Sequence, residues 1–319
     1  MARLKWYSFR WRVGLVLLVG AFAAWYLLAG RFQHPIGEGP AGPQVDPTPF
    51  KQTWSNRPVL LLGLGDSVTA GFGSSTGSGY FGLLVKNDDG QYPDMVGRDL
   101  SHVFPNLETL NRAASGSTSQ QHLDDVLTVK AFDKDVFGVV VISTGGNDII
   151  HDYGKAEPRD GAMYGCTYEQ AVVWSESFRK RLIGVIEGVD AKFPSGCEIF
   201  IANIYDPTDG VGDIQNAHLM LPKWPDGIKV LALFNRIIAG TCEQYPNVHL
   251  VDIHSEFLGH GIHCRRWWGD NYRRDDPHYW YYANLEDPND RGYDAIRRLF
   301  LIEMAKVLPN RLQHSPGKG

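Results

Sequence analysis

A serine after an apolar run, a glycine in a polar turn and an asparagine after paired glycines together describe one kind of chemistry. Ser67 lies in "GDSVTAG", directly behind "PVLLLGLG" (58–65), in a turn lightened by Gly63, Gly65 and Gly71. A hydroxyl standing exposed at the start of a helix can attack an acyl carbon, with its own N–H pointing into the same space. Gly116, in "NRAASGSTS", has no side chain to keep a backbone donor from a substrate, and Asn147, in "GGND", offers a side-chain amide. Converging on one point, these three donors would hold the oxyanion of a tetrahedral intermediate. Position 69 is Thr, so Ser67 is not in the G-x-S-x-G elbow of the α/β-hydrolases. A serine nucleophile also needs a base, and histidines follow the last apolar run at 254, 260, 263 and 278.

The elements that must position these residues are short apolar runs bounded by turn residues: 58–65, 107–113, 136–144, 197–205 and 248–253. They read as five strands. Between them lie helical spacings, clearest over 167–193, where Trp174, Phe178, Leu182, Val185, Ile186 and Val189 share a face. A last helix spans about 290–308. Strands alternating with helices predict a three-layer α/β/α sandwich around a five-stranded parallel sheet. Ligands bind at the carboxyl edge of such a sheet, and Ser67, Gly116 and Asn147 each follow a strand.

"GDSVTAG", "NRAASGSTS" and "GGND", in that order, resemble the first three motif blocks of the SGNH (GDSL-type) esterases and lipases over about residues 57–308. The resemblance implies a flavodoxin-like fold and a serine esterase working through an acyl-enzyme. Ser67 would be the nucleophile, and its N–H, Gly116 and Asn147 the oxyanion hole. No metal or organic cofactor is implied. The family's last block is D-x-x-H followed by P-N and G-Y. Here "PNDRGY" (288–293) is intact, but Asp287 replaces the histidine and Asn284 the acid.

Three readings of the base follow. Asp275 and His278 have the D-x-x-H spacing themselves, so an insertion can fold His278 back over Ser67 with Asp275 fixing its tautomer; this reading is preferred. Otherwise His254, His260 or His263 serves, or Asp287 marks a catalytically silent module that binds cell-envelope glycan or lipid. An unperturbed aspartate, with a pKa of about 3.9, is a poor base. Tyr279 and Trp280 would wall the acyl pocket, or simply anchor their loop by packing.

Beyond the core, Arg3, Lys5, Arg10 and Arg12 (tail 1–12) precede an uncharged run, 13–30, long enough to span a bilayer core. A signal anchor with the catalytic domain outside the cytoplasm is expected, with secretion after signal cleavage as the rival. Residues 31–55 read as a Pro/Gly-rich tether without a core of its own, 56–310 as the hydrolase domain and 311–319 as a tail. All 36 acidic residues but only 27 of the 31 basic ones lie beyond residue 30, which disfavours a nucleic-acid partner. The expected partners are the membrane and a small-molecule, lipid or glycan ester. "HSEFLGHGIHC" (254–264) fits no zinc spacing and reads as a polar rim loop. "RRWWGDNYRRDD" (265–276) reads as Arg and Trp stacked in a loop. The long connection 209–227 reads as a lid or substrate selector, or as a mere excursion of the chain. The four cysteines suggest disulfides pairing Cys197 with Cys242 and Cys166 with Cys264, because each pair shares a sheet edge and a bridge holds Cα atoms about 5.5 Å apart.

Overall fold

The computed structural model describes residues 2–31, 34–154, 162–217 and 221–313. Each expected apolar run forms a strand: β1 (Val59–Gly65), β2 (Leu107–Asn111), β3 (Phe137–Ser143), β4 (Cys197–Ala202) and β5 (Val248–Val251). They pair in the order β2-β1-β3-β4-β5, all parallel. Side chains alternate between the faces of a strand, and here both faces are covered. Leu60, Leu62, Leu64, Val140 and Ile142 pack into one core, Val59, Leu61, Val139 and Val141 into the other. That is why β1 and β3 are apolar almost without a break, whereas the edge strand β2, LETLN, is half exposed.

The helices are α1 (Ala2–Arg31), α2 (Ser67–Ala70), α3 (Gly79–Val85), α4 (Leu100–Val103), α5 (Ser119–Thr128), α6 (Gly146–Ile150), α7 (Tyr168–Asp190), α8 (Gly227–Cys242), α9 (Ile253–Phe257) and α10 (Asp290–Gln313). Helices α5, α7 and α8 cover one face of the sheet, and α3, α9 and α10 the other. Thr167 and Gln170 form a capping box that starts α7, and Phe178, Leu182, Val185, Ile186 and Val189 form its buried stripe, with Trp174 half-buried beside it. The strand order reverses between β2-β1 and β3, so a crevice opens past the carboxyl ends of β1 and β3, where α2 and α6 begin.

Two expectations are corrected. The segment expected to be a tether is a strap, because from residue 34 it docks on α10. Ala41 N–H donates to Asp294 Oδ2 at 2.9 Å, and Arg291 Nη1 to the carbonyls of Glu38 and Gly39 at 2.6 and 3.0 Å. Val45, Phe50 and Trp54 are buried in the core under α10. Gly42 has φ +82, and a Cβ there would meet Ala295 Cα at 2.7 Å, so the strap lies too close for any side chain.

The second concerns the cysteines, which are all free and buried. Cys166 and Cys264 do follow the same sheet edge, but they lie in cores on opposite faces. The Cys197 thiol is turned toward Asp190 Oδ1, 3.7 Å away at the end of α7, rather than toward Cys242 at the end of α8. The expected anchor finds no support in the fold: among the described residues no helix is long and apolar enough to cross a membrane. Helix α1 nonetheless covers 13–30, its side chains are described over 11–25, and Leu17, Leu18 and Phe22 there are exposed. Residues 314–319 of the expected tail and 218–220 of the long connection lie outside the described residues.

Candidate active site

The turn after β1 is built around Gly65, whose φ is +130 and where a Cβ would meet the Ser143 carbonyl at 2.2 Å. Asp66 then caps α2, accepting from Val68 N–H at 3.1 Å and from the Ser143 hydroxyl at 2.6 Å. Burial pushes its carboxyl up to about 6 against the pull of those bonds. Ser67 is thereby fixed as the first residue of α2, half-buried, with its side chain on a cavity.

Asn147, in the first turn of α6, lines the same cavity, and its Nδ2 donates to the Ser117 carbonyl at 2.9 Å. Gly116, at φ +80 with open space where a side chain would be, immediately precedes Ser117. The Ser117 hydroxyl donates to the Gly65 carbonyl at 3.0 Å, which ties the Gly116 turn to the β1 end and to Asn147. Among the described residues, the N–H groups of Ser67 and Gly116 donate to no backbone carbonyl.

Sequence reasoning missed the supports beneath this rim. His122 lies between Ser117 Oγ and Thr144 Oγ1, at 2.8 and 2.9 Å, and burial lowers it to about 4, so it is neutral at physiological pH. Asp148 accepts from Ser119 N–H and from Arg181, a buried ion pair at 3.2 Å. Nothing in the local pattern marks Arg181, which arrives from α7, 33 positions along the chain.

The fourth block is where the expectations part from the geometry. His278 bonds through Nδ1 to Asp276 Oδ1 at 2.5 Å, so its acid is Asp276 and not Asp275, and its ring lies within 3 Å of where a Gly37 side chain would begin on the strap. Arg291 holds the other oxygen of Asp276 at 2.6 Å. His260 is stacked 3.4 Å from the Trp280 ring, His263 bonds Asp213, and His254 bonds the Ile204 carbonyl. Tyr279 and Trp280 are core residues and do not line the cavity; Trp280 packs edge-on to Phe257.

The group facing Ser67 is Asp287. Tyr282 and Asp287 close a tight hairpin (Tyr282 N–H to Asp287 carbonyl, 2.6 Å), and Asn289 fastens its base by donating to the Tyr279 and Tyr281 carbonyls. Asn284 Nδ2 donates to Asp287 Oδ2 at 2.6 Å, while Asn284 Oδ1 accepts from Asp287 N–H at 3.2 Å. Burial raises the Asp287 carboxyl, and the Ser67 hydroxyl and Asn284 pull it back only in part. The Ser67 contact is loose: among the described residues Asp287 Oδ1 is buried without a well-formed hydrogen bond.

Beside it in the cavity wall, Glu286 is raised to about 7, first by burial and then by the charge of Asp287. Its folded pKa lies above its ordinary 4.5, so protonating it favours the folded chain; that stability is complete below about pH 4.5 and is lost as pH rises through about 7. Glu286→Gln should therefore raise the melting temperature at about pH 8 and leave it unchanged at about pH 4, read by calorimetry. Equal shifts at both pH values would refute the assignment.

Residues 64–295 match the GDSL-like Lipase/Acylhydrolase family. No curated protein sequence gives a significant match. Among solved structures, a variant of an acetyl xylan esterase from Geobacillus stearothermophilus is 16% identical, with 79% of this chain and 97% of that one covered and a TM-score of 0.50. A phospholipase A1 from Streptomyces albidoflavus NA297 is 17% identical (79% and 100% covered, TM-score 0.43). A lipolytic G-D-S-L protein from Veillonella parvula DSM 2008 is 16% identical (78% and 97% covered, TM-score 0.45). At these identities the likeness to the first is one of fold. With the sheet order, the Ser67 turn and a family match across most of the sequence in place, the chain belongs to the GDSL-like lipase/acylhydrolase family and is by class a carboxylic ester hydrolase.

Proposed function

We propose that Ser67 and Asp287 are the nucleophile and base of this hydrolase, with Asn284 positioning the base. The supporting observation is how the two departures from D-x-x-H compensate each other. A histidine base carries an N–H on its far side and needs an acceptor behind it. A carboxylate base carries no hydrogen and needs a donor. Asn284 Nδ2 supplies that donor at 2.6 Å, three residues before Asp287, where the family has its acid. The donor and acceptor roles are inverted together.

The Asp287 carboxylate, whose Oδ1 has no well-formed hydrogen bond among the described residues, takes the Ser67 hydroxyl proton as Oγ bonds to the ester carbonyl carbon. Ser67 N–H, Gly116 N–H and Asn147 Nδ2 hold the resulting oxyanion. Collapse breaks the bond to the alcohol, which leaves with the proton from Asp287. Water then enters by the same steps in reverse and frees the acid. Burial supports this role by lifting Asp287 above the ordinary aspartate range and nearer the working pH.

The same reading takes the domain to lie outside the cytoplasm, held to the membrane by the uncharged run 13–30 behind four cations, and to act on lipid or other small-molecule acyl esters. A fluorophosphonate, which exchanges fluoride for the attacking serine oxygen, should label wild-type protein at Ser67 by peptide mass. Asn147→Ala should lower kcat on an activated ester by about 100- to 1000-fold, the effect of losing one oxyanion donor. Label found only on other serines would refute the proposal.

A further inference from the structure

We infer that the ester attacked by Ser67 carries a medium-length acyl chain, about six to eight carbons, rather than an acetyl group; the inference rests on the serine-hydrolase reading above. The cavity that opens at Ser67 and Asn147 has a volume of about 180 Å³. It runs past Ile149 and Ile204 to the first turns of α8, where Ile228 and Leu231 form a wall, and it is lined by the rings of Tyr164 and Trp224.

Away from the catalytic end and Glu286, the polar side chains of its wall are already committed. The Tyr164 hydroxyl donates outward to the Pro222 carbonyl at 2.7 Å, and Trp224 Nε1 to the Cys166 carbonyl at 2.8 Å, so both rings present carbon to the cavity. Asp206, also in the wall, is taken up by Thr208 and by Gly210 N–H at 2.7 to 2.8 Å, and Asn203 Nδ2 by Asp252 at 2.7 Å. A sugar hydroxyl placed there would lose its hydrogen bonds to water and find few in return.

An alkyl chain loses nothing by entering. A cavity of about 150 Å³ lined by aliphatic and aromatic groups accommodates a six-carbon ring, so the larger space here suits a chain of about seven carbons beyond the reacting carbonyl's end. An acetyl group would leave most of it unfilled. Each methylene added should raise kcat/KM about fourfold until the cavity is full.

The test measures kcat/KM of the full-length protein on p-nitrophenyl acetate, butyrate, hexanoate, octanoate and dodecanoate. The expected profile climbs by about 100-fold or more from acetate to hexanoate or octanoate and falls at dodecanoate. Ile228→Trp narrows the wall without touching the catalytic groups, and it should cut octanoate hydrolysis by about tenfold or more while leaving acetate unchanged. A wild-type profile that is flat or highest on acetate overturns the inference and leaves the serine-hydrolase reading standing. Hydrolysis of none of the five overturns both.

Discussion

Ser67→Ala should lower kcat on an activated ester by about 10⁴-fold or more, the scale reached when a covalent nucleophile is deleted from a cooperating set. The expected loss exceeds that for Asn147→Ala because the two side chains fail differently. Without Asn147 the oxyanion still meets the Ser67 and Gly116 N–H groups, whereas without the hydroxyl no acyl-enzyme forms and water must attack directly. Folding should be unaffected, since α2 is held by the Asp66 cap and by Thr69, whose hydroxyl bonds Tyr80 and Ser143 at 2.7 and 2.8 Å. A variant with wild-type melting temperature and more than a tenth of wild-type turnover would remove Ser67 from the mechanism.

The strands and the placement of Ser67 and Asn147 on one cavity were legible because each rests on short-range pattern. A strand buried on both faces must be apolar throughout, and "VLLLGLG" and "FGVVVIS" are. A glycine-lightened turn at a strand end projects the next side chain beyond the sheet. What was not legible depends on groups distant in sequence. The spacing of Asp275 and His278 matches D-x-x-H, yet His278 is claimed by the adjacent Asp276 and by a strap some 240 residues earlier, whose proline and glycine content reads locally as unstructured. Both cysteine pairings followed from sheet edges, but for Cys166 and Cys264 the face decides, and that is set by packing. Asp287 is the most instructive case: its ordinary pKa argued against it as a base, and the burial that raises that pKa is a property of the folded hairpin.

Asp287→Asn should lower kcat by about 100- to 10,000-fold, the contribution of a positioned base, while His278→Ala changes it less than threefold, about the scatter between preparations. The pH profile gives an independent reading. The carboxylate must be ionised to accept the proton, so wild-type activity should fall as pH drops through the Asp287 pKa, which burial places above the ordinary aspartate value. Replacing the pair with its counterpart, Asn284→Asp with Asp287→His, installs an imidazole backed by an acceptor, and should raise kcat at neutral pH and move the acid limb to about 6.5.

The single changes should each be worse than the wild type. Asn284→Asp sets two carboxylates about a hydrogen bond apart, which drives the Asp287 pKa up and leaves it protonated over more of the range. Asp287→His alone leaves the imidazole without a carboxylate to stabilise its charge, since Asn284 Oδ1 is already shared between the Glu286 and Asp287 N–H groups at 3.2 Å. The cycle should therefore be strongly non-additive, with both single variants below the wild type and the double variant above it. Additive losses would mean that residues 284 and 287 do not work as a unit, and an activity loss in His278→Ala matching that of Asp287→Asn would return the base to the imidazole.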